Sequence, residues 1–101
     1  MGKVVILGVF VADTAYRASR MPKMGETILG NSFALGPGGK GSNQAVAAGN
    51  LGADVTIITR LADDDFGKMA MQTWENANVK GAVKYSTDSY TGAAFIFIDD
   101  K

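Results

Sequence analysis

The sequence predicts an α/β fold, with a partial parallel sheet, flanking helices and a second, small β-sheet. Two short apolar runs, VVILGV at 4–9 and DVTIITRL at 54–61, have the composition of strands buried on both faces. An alanine-rich segment of helical character separates them, and a second such segment follows. This alternation of strand and helix predicts parallel strands joined by right-handed crossovers.

The composition excludes several functional classes. The 101 residues are 47% apolar and 20% charged, which is typical of a globular chain. Ten basic and ten acidic residues cancel, and no segment gathers the cations that a nucleic acid partner requires. The sequence has neither Cys nor His, so we predict no disulfide, no metal site and no thiol or imidazole catalysis.

The first apolar run extends to nine residues, VVILGVFVA, and it also resembles the core of a short signal peptide. Its β-branched residues, the interruption at Gly8 and the end at Asp13 favour a buried strand instead. No other stretch approaches the ~18 apolar residues that a membrane span requires. We therefore expect a soluble cytoplasmic protein with no membrane partner.

Beyond this strand the pattern changes to an alternation that predicts a strand with one polar face. That face carries Val11, Asp13, Ala15 and Arg17. ETILGNSFAL at 26–35 predicts one or two further short strands, broken near Gly30 and Asn31. We expect these pieces to form a small sheet of their own.

A glycine-rich segment precedes the first predicted helix. GPGGKGS at 36–42 contains four glycines and one proline, so we expect no regular structure there. The composition then changes to NQAVAAGNL, which predicts a helix from Ser42. Gly52 follows this helix at the position of a left-handed C-terminal cap.

A second helix is predicted within ADDDFGKMAMQTWENANV at 62–79. Asp63 or Asp64 is suited to cap its first turn, where acidic groups are favourable. Its apolar stripe, which we expect in the core, consists of Phe66, Met69, Ala70, Trp74 and Ala77.

The end of the chain returns to β character in TGAAFIFID at 91–99. Phe95 and Phe97 face one way and Ile96 and Ile98 the other, so both faces require cover. A turn-like Asp-Asp-Lys follows without a returning strand, which leads us to expect a truncated chain.

The glycine-rich segment is also the strongest functional motif. Gly36 to Gly41 formally match the G-x-G-x-x-G pattern of a dinucleotide site, but that pattern should directly follow the first buried strand. A Walker A loop is excluded because Gly41 follows Lys40. The loop offers close backbone approach, a cation at Lys40 and an amide at Asn43 that suits hydroxyl groups. Alternatively, the glycines only turn the chain and Asn43 caps the helix.

GPGGKGSNQAVAAGNLGADVTIITRLADDDFG closely resembles the first signature of the ribokinase family, the PfkB-type carbohydrate kinases. That signature comprises a Gly-Gly-Lys-Gly loop, an Asn-Gln-Ala helix and a Gly-Asp-Asp-x-Phe-Gly turn. The VVILGVFVAD start and the KMGETILGNSFALGPGG stretch also resemble the family's first strand and lid strands. The resemblance covers the entire chain.

The resemblance implies an enzyme that phosphorylates a sugar hydroxyl from ATP and holds the sugar between an α/β core and a β lid. On this basis the core comprises residues 1–10 and 38–83, and the lid comprises residues 11–37 and 84–101. Asp13 matches the sugar-binding aspartate, which accepts hydrogen bonds from two neighbouring hydroxyls. The residues that match sugar-contacting positions in the loop are Gly39, Lys40 and Asn43.

The resemblance also implies what this chain lacks. The family's catalytic aspartate and adenine site lie in a carboxy-terminal half, in a Gly-Ala-Gly-Asp segment that is absent here, so no catalytic residue is assigned. ATP and Mg²⁺ are expected for the full-length enzyme, and neither is expected to bind this fragment. We predict that the 101 residues alone are inactive. Lids of this family often pair across a homodimer.

Two positions depart from the family pattern. Ribokinases commonly have Asn two residues before the lid aspartate, where this chain has Val11, so we hypothesise a substrate other than ribose, a deoxy sugar or a larger polyol. Ala62 replaces a glycine before the Asp pair, which affects the turn more than the sugar contacts. Two other functions stay open from the sequence, a non-catalytic dimerisation or binding module built on the lid strands and a Rossmann-like nucleotide-binding half.

Overall fold

The computed structural model describes residues 2–100. Met1 and Lys101, which the sequence assigns to the core and to the lid, lie outside the described residues. The elements in chain order are β1 (Lys3–Leu7), β2 (Val11–Arg17), β3 (Ser32–Gly38), α1 (Lys40–Asn50), β4 (Asp54–Ala62), α2 (Asp65–Asn76), β5 (Val79–Ser86) and β6 (Ala93–Ile98). They form two three-stranded sheets.

The first sheet has the order β1-β4-β5, and all its strands are parallel. The predicted α/β class with a partial parallel sheet is therefore confirmed. On one face the sheet is covered by α1 and α2, and the core between them includes Val55, Ile57 and Trp74, each 1% exposed or less. On the other face, β1 leaves Val5 and Leu7 exposed.

The helix boundaries follow from local chemistry. The predicted stripe on α2 lies in the core, with Ala70, Trp74 and Ala77 buried and the other two members packed against them. At the end of α1, Gly52 has φ 92°, the left-handed conformation expected after a helix. Neither helix of the described chain is long and apolar enough to cross a membrane.

The second sheet has the order β3-β2-β6, with β2 antiparallel to β3 and parallel to β6. Its two faces differ. What we call the carboxylate face carries, by register, Val11, Asp13, Ala15 and Arg17 of β2, Ala34, Gly36 and Gly38 of β3, and Ala94, Ile96 and Ile98 of β6. The opposite, aromatic face carries Tyr16, Phe33, Leu35, Phe95 and Phe97.

The aromatic face is held by ring contacts. Tyr16 lies between Phe33 and Phe95, and its ring centroid is 5.1 Å from that of Phe33 and 5.3 Å from that of Phe95. Phe33 and Phe95 are nevertheless 58% and 68% exposed. The sequence predicted that both faces of β6 require cover. Within residues 2–100, however, Phe33 and Phe95 of the aromatic face are left exposed.

The glycine-rich segment is more regular than the sequence suggests. Residues 36–38 belong to β3, and α1 begins at Lys40 rather than at Ser42. Pro37 is tolerated because β3 lies at an edge of the described sheet, where an absent N–H leaves no ladder bond unmade. The prediction of an irregular 36–42 loop was wrong, because pairing with β2 continues as far as Gly38 opposite Val11.

Two further predictions were wrong in detail. Residues 26–31 form no strand, and β3 begins only at Ser32. The predicted helical segment ends early, because α2 stops at Asn76 and Asn78 adopts a left-handed φ of 59°. A strand, β5, begins at Val79 and pairs with β4 as far as Ser86, although its lysines and glycine hide the strand pattern.

Candidate functional site

Asp13 lies in β2 on the carboxylate face, among small neighbours. Its register partners are Gly36 on β3 and Ala94 on β6. The space beside Gly36 is open, since a β-carbon added there would meet no atom within 4 Å. The Asp13 side chain is half-buried. The sheet thus presents a carboxylate within a shallow surface of small residues.

The Asp13 carboxylate lies directly against the end of β3. A β-carbon added to Gly38 would lie 2.6 Å from the carboxyl carbon of Asp13, well inside contact distance. Gly38 itself is buried. Because Gly39 follows immediately, the carboxylate is placed beside the first residues of the glycine loop.

Gly39 turns the chain from β3 into α1. Its φ of 94° is rare for residues with side chains, and a β-carbon there would also collide with the Val9 carbonyl oxygen. Gly39 is the N-cap of α1, and no side chain caps this helix start. The alternative role of Asn43 as the cap is therefore wrong, and its main-chain N–H instead donates to the Gly39 carbonyl oxygen at 2.9 Å.

The start of α1 packs backbone to backbone on the connection between β1 and β2. A β-carbon added to Gly41 would lie 2.8 Å from the Gly8 α-carbon. Behind it, the Trp74 indole Nε1–H donates to Ser42 Oγ at 2.9 Å, and both residues are buried. These contacts fix the first turn of α1 relative to both sheets.

The remaining side chains of the motif point outward. Lys40 and Asn43 are exposed, three residues apart on the first turn of α1. Val11 is half-buried and shares the carboxylate face with Asp13. The fold thus brings Asp13 and the Gly39–Asn43 turn next to each other at Gly38, although β2 and α1 are separated by more than twenty residues.

Asp64 has a structural role at the second helix. Its Oδ1 accepts a hydrogen bond from the Gly67 N–H at 2.8 Å, and its Oδ2 accepts one from the Thr91 N–H at 3.0 Å. The bonds from Thr91 and Gly67 lower the pKa of Asp64 below its ordinary value. The capping interpretation is confirmed for Asp64. Among residues 2–100 no acidic cluster is arranged to hold a metal ion.

Two cavities of the second sheet were not expected from the sequence. One of about 300 Å³ lies between the 16–30 segment and the aromatic residues Phe95 and Phe97. Glu26 lines this cavity, and Arg20 holds the pKa of Glu26 at about 2 through a hydrogen-bonded ion pair of 2.7 Å. A smaller cavity of about 190 Å³ involves Ala15, Ala34 and Ile98, farther along the carboxylate face from Asp13. No motif marks either cavity, because the residues that line each one are distant from one another in the sequence.

Two curated relatives show which enzymes resemble this chain. Mouse ribokinase is 37% identical over 99 residues, covering 97% of this chain and 31% of its own length. Deoxyribokinase of Salmonella typhi is 33% identical over 97 residues, covering 95% of this chain and 32% of its own length. The chain therefore spans about a third of the length of these relatives.

Solved structures agree with the sequence comparison. Ribokinase from Giardia lamblia superposes with a TM-score of 0.89 at 30% identity, covering 99% of this chain and 33% of that one. The ribokinase of Arabidopsis thaliana, solved with ribose and ATP, superposes with a TM-score of 0.84 at 28% identity and covers the same shares.

The family assignment rests on the whole chain. The sequence profile of the pfkB family carbohydrate kinases matches residues 1–101. The two-sheet fold, the Gly-Gly-Lys-Gly turn into α1 and the carboxylate beside it all lie within that match. The chain belongs to the pfkB family of carbohydrate kinases.

Proposed function

We propose that this chain is the sugar-binding part of an ATP-dependent kinase that transfers a phosphoryl group to a pentose hydroxyl. The observation that carries the proposal is the contact of the Asp13 carboxylate with Gly38, at the entrance to the Gly39–Asn43 turn. The names of the mouse and Salmonella relatives support a pentose or deoxypentose as the substrate class.

Each proposed contact follows from the chemistry of its group. Asp13 accepts hydrogen bonds from two neighbouring hydroxyls, and charge-assisted bonds of this kind contribute about 1.5–3 kcal/mol each. Because Gly39 has no side chain, the ligand can come close to its main chain. Lys40 and Asn43, both exposed beside this surface, donate to further sugar oxygens.

We propose that the phosphoryl transfer itself needs residues beyond this chain. The reaction requires a group that accepts the proton of the attacking hydroxyl and cations that neutralise the phosphates. The resemblance assigns the catalytic aspartate and the ATP and Mg²⁺ sites to the carboxy-terminal half of the family's enzymes. Residues 1–101 alone should therefore bind sugar without turning it over.

A binding experiment tests this proposal. The 101-residue chain is titrated with ribose and 2-deoxyribose by calorimetry, and Asp13→Asn is compared with Asp63→Asn, which removes an exposed carboxylate from the loop before α2. We expect Asp13→Asn to weaken binding at least about tenfold and Asp63→Asn to leave it unchanged. Equal affinities for the two variants, or no sugar binding by the parent chain, would contradict the proposal.

Two further measurements address activity and the nucleotide alternative. Incubation of the chain with ATP, Mg²⁺ and sugar should yield no sugar phosphate, and measurable product would overturn the predicted inactivity.

Titration with NAD should give no heat, since the glycine loop follows β3 and not the first parallel strand β1 as a dinucleotide site requires. Saturable NAD binding would favour the Rossmann-like reading.

A second function, dimerisation through the lid, is favoured by one observation. The aromatic face exposes Phe33 and Phe95 on adjoining strands, and exposed apolar patches of this kind commonly mark interaction surfaces. We expect light scattering to detect a defined dimer. Phe95→Ser should dissociate this dimer, whereas Ile96→Ser, on the opposite face of β6, should not. A monomeric parent chain would exclude this function.

A further inference from the structure

We infer that Thr91 is a positioning residue of the proposed sugar site, because its buried hydroxyl and its N–H join the second sheet to the core at the start of α2. This role rests on the proposed sugar binding by Asp13. Thr91 itself is not proposed to touch the sugar. Its effect is to hold the sheet that carries Asp13 at a fixed angle to the start of α1.

The proposed site combines parts of two sheets. Asp13 belongs to the second sheet, whereas the Gly39–Asn43 turn begins a helix that packs on the first sheet. Within residues 2–100 the chain passes between the sheets three times, at residues 8–10, at Gly39 and at residues 87–92. These three crossings set the relative orientation of the sheets, so they also set how well one sugar can contact both parts of the site.

The first two crossings lie against each other and meet at glycines. A β-carbon added to Gly41 would lie 2.8 Å from the Gly8 α-carbon, and one added to Gly39 would collide with the Val9 carbonyl oxygen. Main-chain contacts of this kind hold the two segments close together. Glycine is conformationally permissive, however, so this contact fixes the position of the second sheet better than its angle.

The third crossing adds hydrogen bonds to the core at Thr91, which is 6% exposed. The Ala62 N–H donates to Thr91 Oγ1 at 2.9 Å, and the hydroxyl donates to the Ala62 carbonyl oxygen over a longer distance of 3.4 Å. The Thr91 N–H donates to Asp64 Oδ2 at 3.0 Å. Thr91 is therefore bonded both to the last residue of β4 and to the N-cap of α2.

The first turn of α2 packs closely on this attachment. A β-carbon added to Gly67 would collide with the Ala62 carbonyl oxygen and would lie 3.1 Å from Thr91 Oγ1. The hydrogen bonds from Thr91 and Gly67 lower the pKa of Asp64, so its carboxylate is ionised at neutral pH and accepts both bonds. A buried network whose members all have partners is rigid, so Thr91 restrains the angle of the second sheet.

A short stretch of chain connects Thr91 to Asp13. The next carbonyl oxygen, that of Gly92, accepts a hydrogen bond from the Ala12 N–H at 2.8 Å. From there β6 runs parallel to β2, and its second residue, Ala94, lies opposite Asp13. At about 3.3 Å per residue, this register partner of Asp13 is about 10 Å along the chain from Thr91. Release of Thr91 from the core should therefore displace the strand pair that carries Asp13.

The experiment compares Thr91→Val, which keeps the shape and removes the hydroxyl, with Thr91→Ser, which keeps the hydroxyl. Calorimetry measures the affinity of each 101-residue variant for ribose and 2-deoxyribose. We expect Thr91→Val to weaken binding of the tighter sugar about tenfold, the effect of losing one hydrogen bond to a charged group. Thr91→Ser should retain most of the parent affinity. Thr73→Val is the matched control, because it removes a hydroxyl that bonds to the Met69 carbonyl oxygen within α2, and it should leave the affinity unchanged.

Urea denaturation followed by circular dichroism separates positioning from stability. If Thr91 only stabilised the fold, Thr91→Val would lower the urea midpoint and leave the affinity of the folded chain unchanged, and that result would refute the positioning role. Equal losses of affinity in Thr91→Val and Thr91→Ser, or in Thr91→Val and Thr73→Val, would refute it as well, because the Thr91 hydroxyl would then not be the cause.

A second variant tests the same attachment if Thr91→Val does not fold. Asp64→Asn keeps one oxygen for the Gly67 N–H but turns an NH₂ group towards the Thr91 N–H, which leaves that N–H without its acceptor. It should weaken sugar binding severalfold, whereas Asp63→Asn should not. Equal affinities for these two variants would refute the role of the attachment.

The outcomes also separate this role from the proposed function. If Asp13→Asn abolishes binding while Thr91→Val and Asp64→Asn bind sugar as tightly as the parent chain, the sugar site stands and the positioning role of Thr91 is refuted. If no sugar binds the parent chain, the proposed function fails, and the role of Thr91 in that site fails with it.

Discussion

The two helices of this chain begin in opposite ways. At the start of α2, both carboxylate oxygens of Asp64 are engaged by main-chain N–H groups, one within the helix and one from Thr91 near β6. At the start of α1, the N-cap is Gly39, no side chain caps the helix and no acidic residue lies in the first turn. The start of α2 thus has a side-chain cap. The main chain at the start of α1 has none, and it lies next to the Asp13 carboxylate.

This difference separates a structural carboxylate, Asp64, from Asp13, the carboxylate proposed to bind the sugar. A carboxylate whose oxygens are occupied by the protein has little capacity left for a ligand, so Asp64 links α2 to the second sheet. Asp13 borders Gly38 instead, where an added β-carbon would collide with its carboxylate. We therefore propose different roles for these two aspartates because of what lies beside each of them.

The strongest way to break the α1 start is Gly39→Ala. The methyl group would collide with the Val9 carbonyl oxygen and the left-handed φ would be strained, so we expect a loss of about 2–4 kcal/mol in the free energy of unfolding. Gly36→Ala, where a β-carbon meets open space, is the matched control. Urea denaturation followed by circular dichroism measures both, and equal midpoints would refute the account of Gly39.

The next effect concerns the link between the two helices. Ser42→Ala leaves the buried Trp74 indole N–H without its acceptor, at a cost of about 1–3 kcal/mol. Ser89→Ala, which removes a hydroxyl in the exposed turn before β6, should cost far less. The comparison of urea midpoints tests this. A Ser42→Ala midpoint equal to that of the Ser89 variant would mean that the bond does not stabilise the α1 start.

The smallest effect is expected at Asp64 and depends on pH. Hydrogen bonds depress the pKa of this carboxyl in the folded chain, so its contribution is present above its ordinary value of 3.8 and is lost as pH falls through the lowered value. Asp64→Ala should lower the melting temperature by roughly 5 °C at pH 7. The difference from the parent should shrink steadily below pH 3.8, and a constant difference down to pH 2 would contradict the assignment.

The sequence predicted most of the fold because its periodic patterns are strong. The apolar runs of β1 and β4 and the stripe around Trp74 were sufficient to predict a parallel sheet with helices on it. β5 was missed because Lys80, Gly81 and Lys84 interrupt its apolar pattern, and its pairing with β4 is a tertiary effect that local propensity does not encode.

The candidate site could be predicted only in part. The Gly-Gly-Lys-Gly motif marked the turn into α1, but the sequence could not show that the backbone of β3 continues through Gly38. That pairing places the Asp13 carboxylate against Gly38 and leaves Val11 between two glycines. Register across strands, rather than any local pattern, brings these residues together.

The position of Trp74 has a practical consequence. Its ring meets Phe10 edge-on at 6.1 Å, and its N–H bonds to Ser42, so the indole contacts both segments that flank the glycine turn. It is also the single tryptophan of the sequence. Intrinsic fluorescence therefore offers a label-free optical signal from behind the turn, with which binding at the proposed sugar site can be followed in real time without attaching a dye.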